Sequence, residues 1–248
     1  MMDIGFQLYS ARNYPLADVL EKIAALGYTH VEGYGGLYAD PDGLKAQLEA
    51  NGLTMPTAHV GLDQLEKPAE TLTLAKTLGI EVIVCPWLAP DQRPLDASGW
   101  QRLGERLQNI ATPYQDAGLG FAYHNHDFEF ATYDGRHAMD LMLETAPAVS
   151  IEADIAWIAR GKADPAPWLE QFGSRVVAVH VKDIASPGQN ANEDGWADVG
   201  HGILPWKDLL STVKAKTAAR YFVVEHDNPS DIDRFASRSI AAIRSFGV

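Results

Sequence analysis

The chain has 248 residues, 46% of them hydrophobic, enough to bury a large core and fill one barrel-sized domain over residues 1–248. A formal net charge of −13 disfavours an extended basic face, and with it a nucleic-acid partner. One cysteine, Cys85, excludes an internal disulfide; no uncharged apolar run approaches the ~18 residues of a membrane span and no signal peptide opens the chain, so a soluble, cytoplasmic protein is expected.

In chain order, IGFQLY (4–9) reads as the first strand: it is short, rich in aromatic and branched residues, and has no glycine-rich turn behind it. LADVLEKIAALG (16–27) follows with helical spacing. Leu16, Val19, Leu20, Ile23 and Leu26 share one face, and Gly27 suits the position just past a helix end. The alternation then repeats. Strands are predicted at 29–34, 54–60, 81–87, 120–126, 150–154, 176–182 and 221–226. Helices are predicted over 43–52, 70–79 and 100–118, the last disturbed at Pro113. Between 183 and 206 runs the longest irregular stretch, expected to be a functional loop after the seventh strand.

Repeated strand–helix units imply a parallel sheet with right-handed crossovers. Eight of them in this length fit a single closed (β/α)8 TIM barrel, with an open doubly wound sheet as the other option. In such a barrel the chemistry sits at the carboxyl ends of the strands. Six strands end in reactive groups: Glu32, His59, His124 to His126, Glu152 with Asp154, His180 with Lys182 and Asp183, and Glu225 to Asp227. Residues two apart in a strand share a side, so His124, Asp154, His180 and Glu225 converge inward, with Glu152 deeper. Carboxylates that repel one another beside imidazoles suit one divalent metal ion with mixed N and O ligands: Mn, Co, Zn, Fe, Ni or Mg. Trp87 and Trp157 stand at strand ends as candidate walls for a sugar ring, and core packing is their alternative. Glu32, His59 and His126 are candidate substrate contacts. Asp127 and Glu129 read as loop structure, and Cys85 as a buried small hydrophobe. Arg12, Arg93 and Arg160 are candidate phosphate contacts, though none lies in a phosphate motif.

FQLYSAR, GYTHVEGYG, YHNHDFEF, IEADIAW, VVAVHVKD, DVGHGILPW and YFVVEHD, in this order, resemble the sugar phosphate isomerase/epimerase family of xylose-isomerase-like barrels. The resemblance implies a metal-dependent isomerase or epimerase of a keto sugar or related polyol ketone, working through an enediolate. Its alternatives are a lyase or dehydratase acting on a 3-keto-glycoside or inosose and, more remotely, a non-catalytic sugar-binding barrel. It implies a small carbohydrate substrate and a homo-oligomer. It places metal ligands at His124, Asp154, His180 and Glu225, and proton transfer at Glu152, Glu225 and Lys182. Two positions depart from the family pattern. His124 stands where a glutamate is usual, which removes one of the paired acid/bases of the ketose 3-epimerases, and Trp157 stands where many epimerases carry histidine. Burial beside a cation is expected to lower the pKa of Lys182.

Overall fold

The computed structural model describes residues 3–247. Eight strands close into a parallel barrel: β1 (Gly5–Gln7), β2 (His30–Gly33), β3 (Thr54–His59), β4 (Val82–Cys85), β5 (Gly120–His124), β6 (Ser150–Asp154), β7 (Val176–Val181) and β8 (Tyr221–Val224). Each pairs with its sequence neighbours, and β1 closes the ring on β8 with Gly5 opposite Val223. This is the predicted barrel; the open sheet is ruled out by the closure.

The helices form where the apolar period places them. Leu16–Leu26 buries Val19, Leu20 and Ile23, and ends at Gly27 with φ of 88°, a left-handed turn that glycine adopts without a Cβ penalty. Other helices start on aspartates whose carboxylates accept otherwise unpaired first-turn N–H groups. Asp96 accepts from Gly99 at 2.6 Å, and Asp231 accepts from Asp233 and Arg234 at 3.0 Å. Pro113 does not interrupt its helix: Ala97–Asp116 runs through it unbroken. The missing N–H leaves only the carbonyl of exposed Asn109 without a partner, and water can supply one. Buried Ile110 and Tyr114 hold the last turns against the barrel.

Inside the barrel the strand period separates two chemistries. Val82, Val84, Ala122, Ala178, Tyr221 and Val223 form an apolar plug at the amino end. Gly5 belongs to this layer because the His30 ring occupies the space a Cβ would need. Above the plug the same inward positions carry Gln7, Glu32, His59, His124, Glu152, Asp154 and His180, all buried. The polar layer therefore sits at the carboxyl ends, on an apolar floor.

The 183–206 stretch is ordered by internal bonds. Residues 183–184 pair antiparallel with 196–197, and the Asp183 carboxylate accepts N–H bonds from Ile184, Gly200, Gly202 and Leu204 at 2.9–3.1 Å. Asp183 thus folds the loop rather than facing the cavity. No helix among the described residues is long and apolar enough to cross a membrane.

Candidate active site

The carboxyl ends of the strands open into a cavity of about 830 Å³. Its floor has two layers, which share one imidazole.

In the lower layer, two buried carboxylates hold three histidines. Glu32 accepts from Gln7 Nε2 at 2.6 Å and lies 2.7 Å from His180 Nε2 and 3.0 Å from His59 Nε2. Glu152 lies 2.7 Å from His59 Nε2, 3.0 Å from His124 Nδ1 and 3.2 Å from His180 Nε2. Burial opposes charge on all of these groups, and the mutual attraction decides which stay ionised. Glu32 is pushed up by burial, but His59 and His180 outweigh it and hold the carboxyl well below its usual range. Burial lowers His59, yet Glu32 and Glu152 raise it to about 10. His180 is likewise raised, by Glu152, Glu225 and Glu32 against its burial. Burial and then the neighbouring imidazoles hold His124 well below its usual value, so it is neutral. Burial and the nearby Glu32 lift Glu152 to about 7.

In the upper layer, Asp154, His180 and Glu225 each present a ligand atom to one point. Asp154 Oδ1 accepts the Trp157 N–H at 2.9 Å and starts the short helix Ile155–Arg160. Its Oδ2 is buried and has no hydrogen-bond partner. Glu225 Oε2 lies 3.1 Å from His180 Nδ1 and 3.2 Å from Lys182 Nζ. Burial and then Glu225 push Asp154 up, against Lys182 and His180, to about 7. Asn125 fixes this corner: its amide accepts the Asp154 N–H and donates to the Asp154 carbonyl, both at 3.0 Å.

These donors fit a divalent cation. His180 points Nε2 at a buried carboxylate, which holds a proton there, while Nδ1 faces Glu225 at the upper point, where a cation would take the place of the second proton. The bare Asp154 oxygen and the facing Glu225 supply negative charge that lacks a full counter-charge. Of the four expected ligands the structure brings Asp154, His180 and Glu225 together. His124 belongs instead to the lower group with His59, Glu152 and His180, while its ring still lines the cavity.

Lys182 differs from expectation. It is fully buried, 2.7 Å from Asp227 and 3.2 Å from Glu225, with its ammonium 4.1 Å from the Trp196 ring centre. Burial alone would lower its pKa, but Asp227, Glu225 and Asp154 outweigh burial and raise it. The amine is thus held as a cation between these carboxylates, where a lowered pKa was expected.

His59, Trp87, His126 and Trp157 line the cavity, as does Glu225. Glu32 and Glu152 lie beneath it, behind the imidazoles, and do not line it. His126 packs between Trp157 and Phe128, with ring centres 5.1 Å and 5.7 Å away, and burial with the nearby Lys182 lowers its pKa to about 3. Glu129 is buried and accepts from Tyr123 Oη and the His126 N–H, so the YHNHDFE turn is held by its own glutamate. Tyr9, Tyr34, Asp127 and Asp194 also line the cavity; Tyr9 and Tyr34 end the predicted strands 4–9 and 29–34, whereas Asp194 comes from the 183–206 loop and has no strand-end signal. Gln7 had one overlooked signal: it is the polar residue in an otherwise apolar first strand.

The chain is 26% identical to the inosose dehydratase of Geobacillus kaustophilus (strain HTA426) over 197 residues, which cover 69% of this chain and 63% of that relative's length. A crystal structure of a sugar phosphate isomerase/epimerase from Parabacteroides distasonis superposes with a TM-score of 0.80 at 19% identity, covering 98% of this chain and 93% of the other. The IolI protein, crystallised with a zinc atom, superposes with a TM-score of 0.78 at 15% identity, covering 100% and 97%. A model of the xylose isomerase-like TIM barrel matches residues 20–246, and with the closed barrel and its polar carboxyl face this places the chain in the xylose isomerase-like TIM barrel family.

Proposed function

We propose that this protein is a divalent-cation-dependent isomerase or epimerase of a keto sugar or related polyol ketone. The observation that carries the reading is the unpartnered Asp154 Oδ2, buried beside His180 Nδ1 and beside Glu225, the member of the three that lines the aromatic-walled cavity. Asp154, His180 and Glu225 would hold the ion. His124, whose Nδ1 is committed to Glu152, has its other nitrogen left as a fourth donor. Mn, Co, Zn, Fe, Ni and Mg all accept such a set. A bound divalent cation polarises a carbonyl and acidifies the C–H beside it.

The chain's own groups divide the remaining work. Glu225 lines the cavity; burial opposes its charge, but Lys182 and His180 keep it ionised, and it takes the proton from the substrate carbon. Lys182 orients Glu225 and Asp227. His59, a cation on the cavity wall, returns a proton from another direction. Glu152 and Glu32 set the imidazoles and do not meet substrate. Trp87 and Trp157 pack a sugar ring and exclude water.

A second reading, elimination of water or another β leaving group, is favoured by one observation. The β5 position offers neutral His124 instead of a second carboxylate, so Glu225 has no carboxylate facing it from β5. The similarity to an inosose dehydratase supports it. The test is incubation of ketoses and keto-inositols in D2O with added Mn2+. Deuterium at the carbon beside the carbonyl, lost in Glu225→Gln, supports proton abstraction. Returned isomer or epimer identifies the first reading, and a dehydrated, ultraviolet-absorbing product the second. No exchange with any ketone and any of the ions would end both.

A further inference from the structure

We infer that the substrate carries an anionic oxygen group, a carboxylate or a phosphate, and that the Nη1/Nη2 end of Arg93 receives it. The inference rests on the proposed polyol-ketone reading and adds a charge to its ligand.

The loop after β4 is built to hold this side chain still. Residues 86–94 include three prolines, Pro86, Pro90 and Pro94. A proline fixes its own φ and pushes the residue before it to extended backbone. Arg93, next to Pro94, adopts φ of −78° and ψ of 124°. Before it, Pro90–Gln92 makes one tight turn, closed by the Gln92 N–H on the Ala89 carbonyl at 2.8 Å. The Gln92 side chain ties that turn to Asp63 at 3.3 Å. The guanidinium is then held on two sides. Nε donates to the Leu88 carbonyl at 3.0 Å, and the central carbon lies 3.7 Å from the centre of the Phe128 ring. Phe128 in turn stacks on His126. A side chain fixed in this way loses little freedom when it binds a ligand.

What stays free is the end that recognises oxyanions. A guanidinium carries five N–H groups, and the Leu88 carbonyl takes one. Among the described residues, Nη1 and Nη2 of Arg93 meet no acceptor and no carboxylate pairs with them, although Arg93, Trp87 and Phe128 all line the cavity. Lys182, by contrast, is shared by Glu225 and Asp227, and Arg234 by Glu193 and Asp198. Two parallel N–H groups on a rigid plane match the two oxygens of a carboxylate or phosphate. The backbone amides after β7, where such barrels often hold phosphate, are already bonded to Asp183, so the guanidinium is the open contact.

Asp127, Asp194, Glu225 and Asp227 line the same cavity and oppose an incoming anion. Glu225 and Asp227 are answered by Lys182. Asp127 and Asp194 are answered by the two guanidiniums that line the cavity, Arg93 and Arg12. Arg12 is the more committed of the two: its Nη1 donates to the carbonyls of Tyr9 and Asp227 at 3.0 and 2.5 Å, which leaves Nε and Nη2.

The test is titration calorimetry on the full chain with Mn2+ present, using D-fructose, 5-keto-D-gluconate and D-fructose 6-phosphate. At least one of the two acids is expected to bind about tenfold or more tightly than D-fructose, and the one that does identifies the group as carboxylate or phosphate. In Arg93→Gln the ratio of acid to D-fructose affinity is expected to fall about tenfold with an unchanged circular dichroism spectrum, and Arg93→Lys, which keeps the charge and loses the fork, to restore part of it. This dependence separates the guanidinium from chelation of the acid by the ion. Acids that bind no better than D-fructose, acids that do not bind, or a preference that survives Arg93→Gln each overturn the inference. Binding is read without turnover, so the two readings fail separately. Absent deuterium exchange with an Arg93-dependent acid preference removes only the proton-abstraction reading. Exchange with no such preference removes only this one.

Discussion

Asp154 does two jobs with two oxygens, and they can be separated. Oδ1 caps the helix that follows β6, while Oδ2 is the bare donor. Asp154→Ala removes both; Asp154→Asn keeps a side-chain oxygen for the cap and loses the charge. Both variants are expected to lose bound cation, from about one ion per chain to near zero by elemental analysis, whereas only the alanine variant loses the cap, worth about 1 kcal/mol. An asparagine variant that retains a full equivalent of ion would remove Asp154 from the ligand set. Glu32 acts one shell further out, through His180 Nε2. Glu32→Gln is expected to weaken cation affinity roughly 10–100-fold, read by metal titration, without removing any ligand. His59 sets a pH dependence. Its folded pKa of about 10 is above its ordinary 6.5, so its contribution to stability is complete below 6.5 and is lost as pH rises through 10. Metal-free protein should therefore melt at progressively lower temperature across that window, and His59→Gln should flatten the slope. An identical slope in the variant would assign the dependence to another group. At this scale the sequence was informative about which residues point inward and silent about their partners. His124 and Asp154 both read as inward ligands, but that His124 Nδ1 turns to Glu152 depends on a contact between β5 and β6 that no spacing within either strand encodes.

At the scale of elements, the periods carried most of the fold. Period two gave the eight strands, and the 3.6-residue period with terminal glycines gave the helices. Pro113 misled because the cost of a proline depends on whether the orphaned carbonyl reaches water, a tertiary fact. The 183–206 loop was visible as an irregular stretch, while its anchor was not: Asp183 is bonded to amides 17 and 21 residues later. Only a folded hairpin brings them together. Asp183→Ala should leave three or four loop N–H groups without an acceptor, costing about 2–4 kcal/mol, and should do so locally. Amide hydrogen exchange is expected to quicken over 198–206 while the strands stay protected. Uniform loss of protection through the barrel would show instead that this loop is part of the cooperative core.

Across the whole molecule, an apolar floor inside the barrel supports a polar layer of at least five ionisable side chains that are nearly free of solvent. Such groups are expensive to bury, and their mutual ion pairs offset only part of that cost. Asp154 and Glu225 remain the weak point: they face each other across His180 and Lys182, and burial already pushes Asp154 towards its neutral form. A divalent cation that binds the folded chain and not the unfolded one would relieve this repulsion. By linkage it should add about 2.7 kcal/mol at a free concentration of 100 times its Kd. For a chain of this length that corresponds to a rise of roughly 5–11 °C in Tm. Thermal melts in EDTA and in a saturating series of Mn2+, Zn2+, Co2+ and Mg2+ should show this rise for the ions that bind. Asp154→Asn should melt at nearly the same temperature under all conditions, because the repulsion and the ion's seat vanish together. If the wild-type chain also melts at one temperature with and without every ion, its carboxylates are balanced by Lys182 and the imidazoles alone, and the barrel mouth is a metal-free site.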